Sequence, residues 1–146
     1  MSVVGSLDAI ATKVGAISGI KKCYSVGVAS DVRPIPRGID DTPVAVVWIG
    51  SGEMASGNAE AVLMTPVVDI WVLADDAGYA NKTLANFIDP ARNAFRADMD
   101  LGGQAARCIM TGWDDPVTQE VNTKTFLILP IRLEVLIERF ASDASA

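Results

Sequence analysis

An apolar stripe at helical spacing in the middle of the chain constrains the fold more than any other feature of the sequence. Its five residues stand at positions i, i+3, i+4, i+7 and i+11: Leu84, Phe87, Ile88, Ala91 and Phe95. This spacing places them on one face of an α-helix. A helix with one apolar face needs an apolar surface to cover, and stretches typical of β-strands stand before and after it. The stripe therefore predicts a helix that packs on a sheet.

Pro90 interrupts this stripe. Proline removes one helical hydrogen bond and clashes with the preceding turn. Two arrangements accommodate it: a helix that kinks at Pro90, or a second short helix that Asp89 caps and that has Pro90 at its first position. The stripe keeps its phase across Pro90, which favours the kink. Leu101-Gly102-Gly103 is expected to end the helical region, because glycine tolerates the positive φ of a helix C-cap.

Five stretches have the composition or the alternation of β-strands: residues 21–30, 44–49, 61–74, 105–113 and 126–137. The last is the clearest, because apolar residues fill one of its faces along its whole length. Pro66 and Pro130 lie inside two of these strands. Proline cannot donate to the hydrogen-bond ladder of a sheet. Pro66 is therefore expected to divide its strand or to mark an edge or a bulge, and Pro130 predicts an edge position or a bulge.

An amphipathic helix is also predicted near the N-terminus, over residues 6–18, with Ser6 as its N-cap and Gly19 as its stop. Residues 31–43 contain three prolines and three aspartates and are predicted to form a long loop. Residues 50–58 are rich in Gly and Ser and predict a flexible turn or a hairpin tip. Long loops inside compact domains are often functional contact segments.

This order of elements predicts an α+β fold. We expect a two-layer sandwich in which two main helices pack on one face of a mostly antiparallel or mixed sheet of four to five strands. The 146 residues fit one domain, which we place at residues 1–140. Residues 141–146 are small and polar and are expected to form a disordered tail.

The composition argues against two classes of partner. The formal net charge is −6 and no basic stripe is present, whereas proteins that grip nucleic acid neutralise its phosphates with Lys and Arg. No apolar run approaches the length of a membrane span, and no signal peptide is apparent, so we expect the chain to fold in the cytoplasm. The mean hydropathy is +0.30, which suggests that partner subunits cover some apolar surface.

The sequence contains few of the residue patterns that support catalysis or metal binding. It contains no histidine, so Ser-His and Cys-His nucleophilic pairs and His-based zinc sites are excluded. Cys23 and Cys108 stand in strand-like runs, where free cysteine acts as a small core residue. Three aspartate pairs fall at turns or helix starts, where aspartate is common for local reasons: residues 40–41, 75–76 and 114–115. We expect no catalytic, cofactor or metal site.

Several features occur in a recognisable order. From the N-terminus these are an amphipathic helix, the strand at residues 21–25, a loop with Ile35-Pro36 before a Val-rich strand, a strand that ends at Val72-Leu73, a helix, the Asp-Leu-Gly-Gly of residues 100–103, a strand that ends at Gly112-Trp113, and a final strand with residues 132–135. In this order the sequence resembles the tail terminator (tail completion) proteins of long-tailed bacteriophages over nearly its whole length.

The resemblance implies a structural protein of the virion. It implies that the chain forms a ring, typically a hexamer, that caps the head-proximal end of the tail tube. The ring stops polymerisation of the tube protein and offers a docking surface to the head–tail connector, and DNA passes through its lumen without sequence-specific binding. The resemblance carries over no catalytic residue. An acidic chain suits such a lumen, so Asp and Glu side chains are expected to line the channel.

In a cyclic ring each subunit uses two different surfaces, one for each neighbour. We expect the loop at residues 31–43 and the hairpin at residues 50–58 to face neighbouring subunits or the tube. The candidate contact residues are Arg33, Ile35, Arg37, Gly52, Glu53 and Met54. The alternative for the first three is a solvated loop whose prolines limit its flexibility, although Ile35 is an odd choice for a loop that contacts nothing.

Three other functions stay open at this point. A head–tail connector or neck protein shares the size and the α+β style of a terminator. A small adaptor module would grip a cellular partner with its Pro-rich loop. An enzyme that uses carboxylates alone is the third alternative, and the oligomeric state of the purified chain separates the ring from the adaptor.

Overall fold

The computed structural model describes residues 2–26, 34–36, 39, 41–54, 61–74 and 77–138. These residues form the following elements in chain order: α1 (Val3–Gly15), β1 (Lys22–Val26), β2 (Val44–Met54), β3 (Ala61–Leu73), α2 (Ala77–Ala85), α3 (Ile88–Ala97), a 3₁₀ turn (Leu101–Gly103), β4 (Arg107–Trp113), β5 (Val117–Val121) and β6 (Lys124–Glu138). The predictions for residues 27–30, for most of the loop at 31–43, for 55–58 and for the tail at 141–146 lie outside the described residues.

The described strands form one mixed sheet in the order β1-β2-β3-β6-β4. β1 and β2 are parallel, and all other pairs are antiparallel. β4 and β5 pair with the same edge of β6. β5 pairs with the first residues of that strand, up to Ile128, and β4 with the later ones, from Ile131 to Leu136. The predicted α+β class is confirmed, but the predicted four to five strands are too few, because the described residues form six.

β5 is the strand that the sequence did not reveal. Most of its side chains are exposed, so it lacks the apolar alternation that marks a half-buried strand. It is held by a tight hairpin to β6, in which Asn122 and Thr123 both have positive φ. Two such residues in a two-residue loop match the twist of the flanking strands.

The helices cover one face of this sheet. One apolar core combines side chains from α1, α2 and α3 with side chains from β2, β3, β4 and β6. A smaller cluster of five buried residues lies on the opposite face, since strand residues alternate between faces: Val44, Val46, Trp71, Phe126 and Ile128. Ile39, from the predicted long loop, packs against this second cluster.

α1 begins earlier than predicted because a different serine caps it. Ser2 Oγ accepts a hydrogen bond from Gly5 N at 2.9 Å, which satisfies one of the free N–H groups of the first turn. Ser6, the predicted cap, is buried within the helix and donates to the carbonyl oxygen of Gln104 at 2.7 Å. The prediction for Ser6 was wrong because its hydroxyl makes a tertiary contact.

The central helical stripe is divided between two helices. α2 ends at Ala85 and α3 begins at Ile88, with Phe87 at the cap position in an αR conformation. Pro90 lies in the first turn of α3 and has no N–H to donate to the Asn86 carbonyl, which explains a break at this point. The single kinked helix is not observed. A second helix is present, as the alternative predicted, but it begins at Ile88 with Phe87 as its cap, so Asp89 is not the cap and Pro90 is not the first residue. The stripe nevertheless stays in phase across the break, because Phe87 remains helical.

The two strand prolines are accommodated in different ways. Pro66 lies in the central strand β3, and β2 contains one extra residue where it passes Pro66, so the predicted bulge is present on the partner strand. Pro130 lies in β6 between the residues that pair with β5 and those that pair with β4. Its carbonyl accepts from Asp114 N at 2.9 Å. The missing N–H of Pro130 therefore falls at the gap between two partner strands, and an edge position is not needed.

The bulge in β2 requires a glycine at position 50. This residue has φ +65°, and a Cβ at this position would collide with the carbonyl oxygen of Thr65. Gly102 has the same φ of +65°, but a Cβ there would meet nothing within 4 Å. The two glycines thus separate the cost of a left-handed backbone from the cost of a steric clash.

We predict that Gly50→Ala destabilises the protein more than Gly102→Ala does. The left-handed backbone costs both variants roughly 1–2 kcal/mol, and the clash adds about 1–3 kcal/mol at Gly50 alone. Urea denaturation of the two variants and the parent chain measures the difference. Equal losses for both variants would show that the sheet relaxes around the bulge without cost.

An ion pair joins α1 to the segment that follows α3. Lys13 Nζ lies 3.0 Å from Asp98 Oδ2, and Gly102 N donates to Asp98 Oδ1 at 3.1 Å. The Lys13 ammonium first, and then the Gly102 amide, lower the pKa of the Asp98 carboxyl. A lowered folded-state pKa stabilises the fold above the unfolded pKa of about 3.9, and this stabilisation is lost as pH falls through the folded value.

We predict that Asp98→Asn lowers the melting temperature at pH 7 and that its deficit relative to the parent shrinks as pH falls below about 4. Thermal unfolding followed by circular dichroism over this pH range measures it. Asp115→Asn is the matched control, because no hydrogen bond or ion pair of Asp115 is found in the described structure. A deficit for Asp98→Asn that does not depend on pH would contradict the linkage.

Candidate interaction surfaces

The structure places the six predicted contact residues in two separate regions. Ile35 is 48% exposed and is followed by the buried Pro36, while Arg33 and Arg37 lie outside the described residues. Gly52, Glu53 and Met54 are the last residues of β2, and all three are exposed. For residues 50–58 a flexible turn or a hairpin tip was predicted. Residues 50–54 are not a turn, since they continue the strand and pair with β3. The consecutive strands β2 and β3 do form an antiparallel hairpin, and its connection lies outside the described residues.

The end of β2 has a described strand on one side only. β1 pairs with β2 only from Val44 to Trp48, so the residues beyond the bulge are hydrogen-bonded to β3 alone among the described strands. Met54 stands opposite Val62, which packs against the helix-side core. Met54 therefore lies on the helix side of the sheet, and its side chain is 55% exposed. An open strand edge with an exposed apolar side chain is a candidate contact surface.

β4 and β5 form the opposite edge of the sheet. Each pairs with β6, and no other strand of the described chain pairs with them. Trp113, at the end of β4, is 50% exposed, and Val117, at the start of β5, is also exposed. Because this large side chain is half exposed at the edge of the sheet, Trp113 is not a core residue. A contact in a protein–protein interface is its remaining candidate role.

A groove of about 300 Å³ lies between α3 and β4 at this edge. It is lined by six residues: Arg92, Phe95, Arg96, Met99, Ile109 and Met110. Arg92, Phe95 and Arg96 stand at i, i+3 and i+4 of α3, so one face of the helix forms one wall. Met99 follows from the turn after the helix. Neither Arg92 nor Arg96 forms an ion pair with another described residue. The groove thus combines an apolar lining with two basic side chains.

Sequence reasoning missed this groove because it depends on a tertiary contact. Arg92 and Arg96 alternate with the apolar stripe as the polar residues of any amphipathic helix do. The methionines belong to two segments whose proximity the sequence does not encode locally. Met99 reaches the edge of β4 through its carbonyl, which accepts a hydrogen bond from Cys108 N.

The second face of the sheet holds a buried carboxylate. Asp69 is fully buried in the central strand β3, and Trp48 Nε1 donates to its Oδ2 at 2.9 Å. Beside it, Trp71 and Phe126 pack with ring centroids 5.8 Å apart. A buried carboxylate requires hydrogen-bond donors to offset its desolvation, so the Trp48 indole is part of the packing of this face.

The described residues contain neither a metal-binding cluster nor a reactive thiol. No group of three His, Cys, Asp or Glu side chains is arranged to hold a metal within the ranges described. Burial raises the pKa of the thiols of Cys23 and Cys108 to about 12, so both stay protonated at neutral pH and are poor nucleophiles. None of the described helices has the length and apolarity needed to cross a membrane.

Comparison of the sequence with protein-family models and with curated proteins gives no match. The surfaces described above therefore have to be interpreted from their own geometry.

We predict that Trp48→Phe destabilises the protein by about 1–3 kcal/mol, because it leaves a buried carboxylate oxygen without its indole donor. Trp113→Phe is the matched control and should change stability by no more than about 0.5 kcal/mol, since the exposed Trp113 ring makes no hydrogen bond in the described structure. Urea denaturation measures both. A loss at Trp48 no larger than that at Trp113 would show that Asp69 is satisfied without it.

Proposed function

We propose that this chain is a structural protein of a long-tailed bacteriophage that assembles into a ring, typically a hexamer, at the head-proximal end of the tail tube. In this role it stops the polymerisation of the tube protein and presents a docking surface to the head–tail connector. DNA passes through the lumen without sequence-specific contacts. The proposal joins the family resemblance of the sequence to the surfaces of the fold.

The observation that carries the proposal is the pair of unlike edges on one sheet. Among the described strands, the end of β2 pairs with β3 alone, and β4 and β5 pair with β6 alone. Two different surfaces on opposite sides of a subunit favour a head-to-tail contact, which generates rings when the rotation closes. A two-fold dimer would instead use one surface twice.

The exposed residues at these edges support the same interpretation. Met54, Trp113 and Val117 are large or apolar and exposed in the single chain. Exposed aromatic and Met side chains are typical of the central part of protein–protein interfaces. The positive mean hydropathy of an acidic chain is accounted for if neighbouring subunits cover these residues.

We predict that the purified chain forms a discrete ring and adds to the ends of purified tail tubes. Size-exclusion chromatography with light scattering measures the stoichiometry, and electron microscopy locates the added mass. Elongation of the tube protein should stop where the chain has bound. A chain that stays monomeric at high concentration and never binds tube ends would overturn the proposal.

An adaptor function is the second candidate, and exposure of Ile35 beside the buried Pro36 is the observation that favours it. The ring assay separates the two functions. An adaptor would remain monomeric, and Ile35→Ser would abolish capture of its partner. A ring protein assembles in the absence of any other protein.

A further inference from the structure

We propose that the groove between α3 and β4 is a docking site for a peptide segment of a partner protein that is both acidic and apolar. The segment places a large apolar side chain against Phe95 and Met110 and sets its carboxylates against Arg92 and Arg96. The site requires no second copy of this chain, so it goes beyond the proposed ring.

The apolar surface of the groove continues along β4. Met110 stands opposite Leu133, and Trp113, three residues further along β4, stands opposite Ile131. Both partners belong to the helix-side core, so Met110 and Trp113 lie on the helix side of the sheet, where α3 forms the other wall of the groove. The surface is therefore elongated, with an exposed indole ring beyond one end.

The open shape favours a peptide over a small ligand. The volume of about 300 Å³ is at the lower end of the range for small-molecule pockets, which bury most of their ligand. Here Arg92 and Arg96 are exposed, and Met99 is 45% exposed. A small ligand would keep one side in water, whereas a partner protein covers the groove with the rest of its surface. Peptide segments in apolar grooves are a recurring mode of recognition.

The helix wall of the groove is positively charged. Arg92 and Arg96 stand at i and i+4 of α3, and neither is ion-paired within the described part of the chain. Like charges at this spacing repel each other, and an anion between them removes that repulsion. A guanidinium binds a carboxylate through two parallel hydrogen bonds, so carboxylates are the complement of this wall.

The acidic residues of the helical segment leave this charge largely in place. Asp98 lies 3.0 Å from Lys13 Nζ, and Asp100 accepts a hydrogen bond from a backbone amide at 3.1 Å. Asp89, in the first turn of α3, stands three residues before Arg92 and on the same side of the helix. The partner's carboxylates therefore belong between the two arginines and not at the start of α3.

Two ion pairs account for charged residues around β4. Arg107 lies 3.4 Å from Glu134, and both stand on the face of the sheet away from the helices, since they alternate with helix-side residues of β4 and β6. Asp114, directly after β4, lies 3.6 Å from Arg132. Neither pair supplies a carboxylate to the arginines of α3.

Two further acidic residues lie towards the β5 side. Asp115 stands two residues beyond Trp113 and adds a negative charge at that end of the surface. Glu120 stands opposite Thr125, six residues along β6 from the partner of Trp113 and so about 20 Å away. Positive charge is thus confined to the α3 wall. This places the acidic residues of the partner along α3 and its apolar residues along β4 towards Trp113.

The first test selects the chemistry of the partner without assuming its sequence. A display library of random short peptides is panned on the full chain and on the variant Arg92→Glu with Arg96→Glu. The parent chain should enrich peptides that combine large apolar residues with Asp or Glu. The variant should enrich Lys or Arg in their place, because its groove wall has the opposite charge. Enrichment of the same sequences by both chains would overturn the proposal.

The second test measures the affinity of the peptide that the parent chain enriches most, by fluorescence anisotropy. Arg92→Glu with Arg96→Glu should raise its Kd about tenfold or more, because the carboxylates then face like charges. Met99→Gln should raise the Kd about threefold, since it removes apolar contact from an exposed position. Circular dichroism verifies that both variants are folded.

The matched control is Lys21→Glu with Lys82→Glu. It makes the same change in net charge with two exposed lysines outside the groove. Because salt screens distant charges, it should change the Kd less than about twofold. A loss of affinity as large as that of the arginine variant would show that net charge alone attracts the peptide, and it would overturn the docking site.

Other occupants of the groove give different results. If no peptide is enriched and anionic lipid vesicles bind through Arg92 and Arg96, the arginines contact a membrane surface and the proposal fails. If no peptide is enriched and the arginine variant abolishes self-association, the groove holds a second copy and the proposal also fails. A chain that stays monomeric but binds the enriched peptide through both arginines overturns the ring and supports the docking site.

Discussion

The antiparallel pairing of β3 with β6 is the contact on which the rest of the structure depends. It extends from Ala61 opposite Glu138 to Leu73 opposite Phe126. On the helix side it presents an unbroken row of buried side chains, and each fully buried Leu, Ile or Val stabilises the fold by roughly 1.5–3 kcal/mol. β2 attaches to one side of this pair and β4 and β5 to the other. The helices pack on the surface that the pair creates.

Elements that carry their own periodicity were predictable from the sequence. The stripe from Leu84 to Phe95 predicted helices on a sheet, and alternation predicted β6, because an amphipathic element displays its buried face in its own residues. The predictions failed where a neighbour decides the structure. Ser6 caps nothing because Gln104 engages its hydroxyl. Pro130 is tolerated inside a sheet only because two different strands meet beside it.

For the candidate surfaces too, features within one segment were predictable and features that depend on a neighbouring segment were not. Gly52, Glu53 and Met54 were identified from composition, but as a flexible tip, since Gly and Ser favour turns over strands. Pairing with β3 overrides that preference and fixes the side of the sheet on which each residue lies. The groove beside β4 gave no local signal, because Met99 and Met110 are brought together by the turn after α3. The sequence alone can therefore identify contact residues within one segment, but it does not reveal a surface that the fold assembles from several segments.

In the proposed ring, the two unlike edges of the described sheet favour one mode of association. An isologous dimer would instead use the same edge of both copies, so that the end of β2 faces the end of β2 or one α3–β4 edge faces its copy. A head-to-tail contact instead brings unlike edges together. Such contacts close into rings or continue as filaments, and open strand edges invite uncontrolled pairing. Here the bulge in β2 and the Met99 carbonyl beside Cys108 both interrupt the backbone edges. In the proposed ring, side chains would therefore make the contact between subunits, which favours one defined geometry over an extendable backbone ladder.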